Sequence, residues 1–141
     1  SADGFGLEQV ICSGYTPYPS VKNDTRLPHV SRRLTAQIHK TALGAETYLR
    51  ISHAEDALTV VNNFKDRDYL IIGLEQAPSS KPLAEFQTKR NILLLLGEEV
   101  DGLNQSLIEA CDVILELAMH GQKESLNVSI AGAIAMYQLS R

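Results

Sequence analysis

The strongest constraint on the fold lies in residues 92–139, where two short apolar runs each lead into a glycine-containing loop that opens a helical pattern. Ile92-Leu93-Leu94-Leu95-Leu96 is long enough for a buried strand and too short for a helix of its own, and Val113-Ile114-Leu115 repeats the arrangement. Two such strand ends side by side make a cleft at the carboxyl edge of a sheet, where ligands of open α/β folds bind. Strand and helix patterns alternate along the chain. The predicted class is therefore α/β, a mostly parallel sheet flanked by helices.

In the first loop, Gly97 permits a tight turn or a close approach, and Gly102 can take φ > 0 before a helix opening at Leu103. Glu98 and Glu99 lie between them; taken alone, Glu98 reads as a solvated charge of a connecting loop. The second loop, residues 119–125, passes through Gly121. Ser125 and Asn127 are both good N-cap residues for a final helix in which Val128, Ala131, Ala135 and Leu139 recur at helical spacing. One helix start needs one cap. A hydroxyl or an amide is thus left for other work.

Upstream, residues 1–6 read as the tail of a helix closed by Gly6, and residues 7–12 as a short strand. Pro17 and Pro19 exclude regular structure from the stretch that follows, and a long loop runs on through a basic stripe. A brief helical or irregular piece ends at Gly44, and a strand is expected over residues 47–51. Residues 52–64 have a helix pattern with Ser52 as cap and Glu55 three residues later. A turn at 66–68, a strand at 69–74, a loop at 76–82 and a helical turn at 83–86 complete the chain.

At 141 residues, 44% hydrophobic and 21% charged, the sequence suits one domain with a real core. It has no apolar run of membrane-spanning length and no secretory signal, and neither Cys12 nor Cys111 has the spacing of a zinc site or redox pair. Reduced thiols and a cytoplasmic location follow as the expectation, with no metal and no membrane partner. The net charge of −4 speaks mildly against nucleic acid, but its distribution does not. Lys22, Arg26, Arg32, Arg33 and Lys40 face Asp24 alone, a local net of +4, to which His29 and His39 can add below neutral pH. Such a stripe is the footprint of an RNA-contacting face; a solvated, flexible loop is the other reading.

The strings GEEVDGL and MHGQKESLNVSIA resemble motifs 2 and 3 of the SpoU (TrmH-like) RNA ribose methyltransferases of the SPOUT superfamily. Glu98 stands where that family often has Asn, and Ala118 where it often has Pro. HKTALGAE is similar to a stretch of its tRNA- and rRNA-modifying branch. The resemblance implies a C-terminal trefoil knot, homodimers with the final helix in the interface, and methyl transfer from S-adenosyl-L-methionine to a ribose 2′-hydroxyl of tRNA or rRNA. It implies that Leu96, Gly97, Glu98, Gly102, Leu117, Met119, Gly121, Ser125 and Leu126 hold the cofactor and that Glu99, Ser125 and Asn127 order the catalytic pocket. The small face Ala131, Gly132, Ala135 and Met136 would suit close helix packing. The family's motif 1 matches SADGFG only in its last part; its Asn and Arg would lie upstream of Ser1, so slow or absent turnover is expected of the chain as it stands. The alternatives are a catalytically impaired cofactor- and RNA-binding module of the same fold, and a nucleotide-binding regulator. The latter lacks any glycine-rich phosphate loop of the usual patterns.

Overall fold

A computed structural model describes residues 1–122 and 125–141; the expected loop at 119–125 therefore runs over Lys123 and Glu124, which lie outside the described residues. The chain divides into two compact units, Ser1–Ala57 and Leu58–Arg141.

In the first unit, β1 (Gln9–Ser13) pairs in parallel with β2 (Arg50–Ala54), and α1 (Pro28–Ala42) lies between them in the chain. A 3₁₀ turn, Asp3–Phe5, ends on Gly6 at φ 70°, whose N–H donates to the Asp3 carbonyl. α1 is the main departure from expectation: one continuous helix stands where a loop through the basic stripe and a brief helical or irregular piece ending at Gly44 are expected. Pro28 sits in its first turn, where no intrahelical N–H is lost, and Val30, Ser31, Leu34 and Ile38 form its inner side. It ends at Leu43, left-handed at φ 54°, with the N–H bonded back to His39 O. Residues 45–47 are a 3₁₀ turn, so the second strand starts three residues later than expected. Ser52 pairs with Ile11 in the ladder and caps nothing; the next helix, α2 (Ala57–Lys65), begins beyond it.

The second unit continues from α2 through β3 (Leu70–Leu74), β4 (Lys81–Pro82), β5 (Ile92–Leu96), α3 (Gln105–Ala110), β6 (Val113–Glu116) and α4 (Val128–Leu139). Its four strands are parallel in the order β4-β6-β3-β5. β3 lies between β5 and β6, and both its faces are covered, which is why it is apolar without alternation. Leu70 and Ile72 join Leu83, Leu115 and Ala135 of α4 in one core cluster. On the other face, Gly73 lies so close to Ile114, Cys111 and Leu103 that an added Cβ would come within 2.8 Å of Ile114 Cδ1. Burying each of these large side chains contributes roughly 1.5–3 kcal/mol.

α3 begins two residues later than expected, capped by Asn104, whose Oδ1 accepts from the Leu107 N–H at 3.0 Å. Cys111 follows it as a half-buried free thiol donating to Leu107 O, and burial pushes its pKa up to about 11. α4 carries no charged residue. Its small face is occupied within the chain: Gly132 meets Leu96 Cδ1, 2.7 Å from where a Cβ would stand, and Ala135 is fully buried. Ile130, Ile134 and Tyr137, on the opposite side, are 54%, 41% and 54% exposed. No helix among the described residues is long and apolar enough to cross a membrane.

Candidate functional site

The carboxyl ends of β3, β5 and β6 surround a cleft of about 230 Å³. The loop after β5 forms one wall by folding back on itself: Glu98 and Gly102 exchange N–H···O bonds of 3.1 Å in both directions. That reversal needs glycine at both ends. Gly102 has φ 65°, and a Cβ on Gly97 would sit 2.2 Å from the carbonyl carbon of Gly102, well inside contact distance.

Leu96, Gly97, Glu98, Glu99, Gly102, Leu117, Met119, Ser125 and Leu126 all line the cleft. Asn127 is not among the lining residues but is tied to them, its Nδ2 donating to Glu99 Oε1 at 3.2 Å while its Oδ1 caps α4 by accepting from the Ser129 N–H at 2.9 Å. Of the two cap candidates, Asn127 thus takes the role, and Ser125 is the polar group left at the cleft. Gly121 is exposed and outside the lining, with open space around it. The sequence reading missed Glu75 and Gln76, which follow β3 at the cleft. Their signal was present: an apolar run ending in a carboxylate, the same sign that marked the loop after β5.

Five carboxylates, Glu75, Glu98, Glu99, Asp101 and Glu116, line the cleft, and no Lys or Arg does among the described residues. Glu116 is fixed there by Ser80 Oγ, which donates to its Oε2 at 2.5 Å. Leu74, Leu96, Leu117 and Leu126 supply apolar surface beside these acids. The arrangement suits a ligand with a flat apolar part and a positive centre.

The expected basic stripe lies in the first unit, and α1 concentrates it. Arg32, Arg33 and Lys40 are exposed on a helix with no acidic residue, and Lys22 is exposed before it. Arg26 is committed elsewhere. Its guanidinium lies 3.5 Å from the Tyr18 ring centroid, donates to Tyr18 O and Pro19 O, and pairs with Asp24 at 2.6 Å, holding that carboxyl well below the usual range. His39 is engaged by Glu46, whose carboxyl is likewise held low by that hydrogen bond.

The sequence pattern of the SpoU rRNA Methylase family matches residues 24–137. The chain belongs to this family. It is 31% identical over 107 residues to a mouse tRNA (guanosine(18)-2′-O)-methyltransferase, covering 74% of this chain and 7% of that protein. It is 31% identical over 108 residues to a 23S rRNA (guanosine-2′-O-)-methyltransferase of Xylella fastidiosa, covering 77% of this chain and 43% of that one. The chain thus spans less than half the length of either curated relative. The fold is that of a TrmH/SpoU tRNA modifying enzyme of A. aeolicus, with a TM-score of 0.75 and 19% identity over 99% of this chain and 63% of the other. A SpoU methyltransferase from Streptomyces viridochromogenes, solved in complex with AdoMet, superposes with a TM-score of 0.74 at 20% identity, covering 99% and 51%.

The two loop glycines of this SpoU domain differ in what they do. Gly97→Ala is expected to cost about 2–3 kcal/mol through overpacking against backbone that cannot yield, whereas Gly121→Ala changes stability by less than about 0.5 kcal/mol. Urea denaturation of the two variants checks this.

Proposed function

We propose that the domain transfers a methyl group from S-adenosyl-L-methionine to a ribose 2′-hydroxyl of tRNA or rRNA. The observation that carries the reading is the carboxylate-lined cleft at three parallel strand ends, closed by the Gly97–Gly102 reversal and joined to α4 through the Glu99–Asn127 bond. Bound S-adenosylmethionine supplies an electrophilic methyl on a positively charged sulfur. The residues present fit such a group: the acids complement its charge, the leucines offer a surface for its base, and Gly97 brings main chain to the wall where a side chain would intrude. Leu96, Gly97, Gly102, Leu117, Met119 and Leu126 would hold it.

Glu99 and Asn127 orient the acceptor. Asn127 Nδ2 occupies Glu99 Oε1, so Oε2 remains to accept from a ribose hydroxyl, and Ser125 adds a hydroxyl at the same wall. Alignment and a hydrogen-bond acceptor for the departing proton are the two contributions such a displacement needs from protein. The exposed, acid-free face of α1 supports RNA as the substrate, with Arg32, Arg33, Lys40 and Lys22 meeting phosphates and Arg26 bracing the loop before them. The trefoil knot and a cytoplasmic location belong to the same reading. So does a homodimer, for which the partner surface is the outer side of α4, where Ile130, Ile134 and Tyr137 present apolar area to a second copy.

Three variants test this. Calorimetry should show S-adenosylmethionine binding, and Asn127→Ala should leave its Kd within about threefold and cost about 1 kcal/mol of stability, while single-turnover methyl transfer in the intact protein falls by about 100-fold. A destabilised variant with unchanged transfer rate leaves Asn127 a cap only, and binding without transfer by the chain extended upstream to carry motif 1 points to the binding module. Charge reversal at Arg32 and Arg33 should make the salt dependence of RNA affinity shallower by about 1.4–1.8 in log–log slope, two phosphate contacts' worth, with cofactor affinity unchanged. Ile134→Glu should sediment as a monomer where the wild type sediments as a dimer.

A further inference from the structure

Glu75 stands immediately beyond β3, outside both loops that carry the family resemblance, yet it bonds to β6 on one side and to the segment that follows β5 on the other. Its backbone N–H donates to Leu115 O of β6 at 3.0 Å. Its carboxylate reaches the other way: Oε2 accepts from the Leu103 N–H, at the exit of the loop after β5, at 3.0 Å, and Oε1 accepts from the Gln76 N–H at 3.0 Å. Leu103 is 6% exposed, and its N–H falls just outside the Glu98–Gly102 bridge and ahead of α3. A buried donor so placed needs an acceptor from elsewhere in the chain, and Glu75 supplies it. Contact is tight on the neighbouring residue too, since a Cβ on Gly102 would fall 2.2 Å from Glu75 Oε2.

We propose that Glu75 is a positioning residue that fixes the Gly97–Gly102 loop relative to the end of β6, so that the affinity of the cleft for S-adenosylmethionine depends on its carboxylate. The proposal rests on the functional reading above for the identity of the ligand. The bracing itself rests on the geometry alone. The carboxylate offers an acceptor oxygen to each N–H group; a glutamine in the same pose has one acceptor oxygen and turns amide hydrogens toward the second donor. Charge-assisted bonds of this kind are also about twice as strong as neutral ones. With the brace lost, the loop keeps its own bridge but loses its fixed distance from the far wall of the cleft.

The test uses the intact protein with Glu75→Gln, Glu75→Ala, Gly102→Ala and the Glu75→Ala/Gly102→Ala double variant. In the ligand-free protein, amide hydrogen exchange at Leu103 is expected to rise by about tenfold in Glu75→Gln, the factor one hydrogen bond carries. Calorimetry should show a Kd for S-adenosylmethionine about tenfold weaker, with RNA affinity unchanged, which a general loss of folding would not spare. Gly102→Ala attacks the contact with Glu75 intact, and should weaken cofactor binding more in the wild-type background than in Glu75→Ala. Leu103 exchange and cofactor affinity both at wild-type values in Glu75→Gln, or strict additivity in the double variant, would overturn the proposal. A wild-type protein that binds no S-adenosylmethionine overturns the functional reading and the affinity claim together, and Leu103 exchange then decides the bracing separately.

Discussion

Gly97 and Gly102 meet backbone to backbone, closer than any side chain would allow, and the shape of the cleft follows from that contact. Because the chain reverses within so few residues, the acids between the glycines are carried outward on a narrow hairpin-like turn instead of folding over the strand ends. The same reversal places Leu103 in the core at the loop's exit and delays α3 until Asn104 can cap it. A methyl group at either glycine would therefore move the wall, the core residue and the helix start together.

The second unit was the more legible half of the sequence. Strands of a covered parallel sheet read as unbroken apolar runs, and the buried Leu70–Leu74 and the half-buried edge strand Ile92–Leu96 fall where that pattern put them, with boundaries at most one residue off. In the first unit the pattern misled. α1 has an apolar row on its inner side, Val30, Leu34 and Ile38, but that row is only half-buried, the buried residue is the polar Ser31, and the charges of the outer side dominate the composition of the stretch. β2 was misplaced because its strand pairing extends through Ser52 and His53, polar residues that resemble a helix start when the partner strand is unknown. Arg26 was counted with the stripe because sequence gives its charge and not its partners; Tyr18, Pro19 and Asp24 become visible only in space. For Glu75 the position at the end of an apolar run was legible, and the hydrogen bond to Leu103, spanning 28 positions, was not.

Opposite charges are segregated in this chain, and the formal total of −4 conceals it. The cleft concentrates carboxylates in the second unit, while α1 in the first carries exposed cations and no acid. Each surface would repel the other's ligand. A small cation is drawn to the cleft and a polyanion to the helix, and at moderate salt neither field extends much beyond about 10 Å.

α4 has two sides with different obligations. Its amino-terminal turns contribute Val128 and Ala131 to the cleft, with Asn127 holding Glu99 at the cap, while Ile130, Ile134 and Tyr137 look away. A single rigid rod thus reports to two places. A partner on the outer side and a molecule in the cleft would act on the same helix, and linkage requires any effect of each on the other's affinity to be equal in free energy. With a second copy as that partner, as proposed above, the cleft would grip its ligand less firmly in a dilute solution than in a concentrated one, making affinity a function of how crowded the protein is with copies of itself.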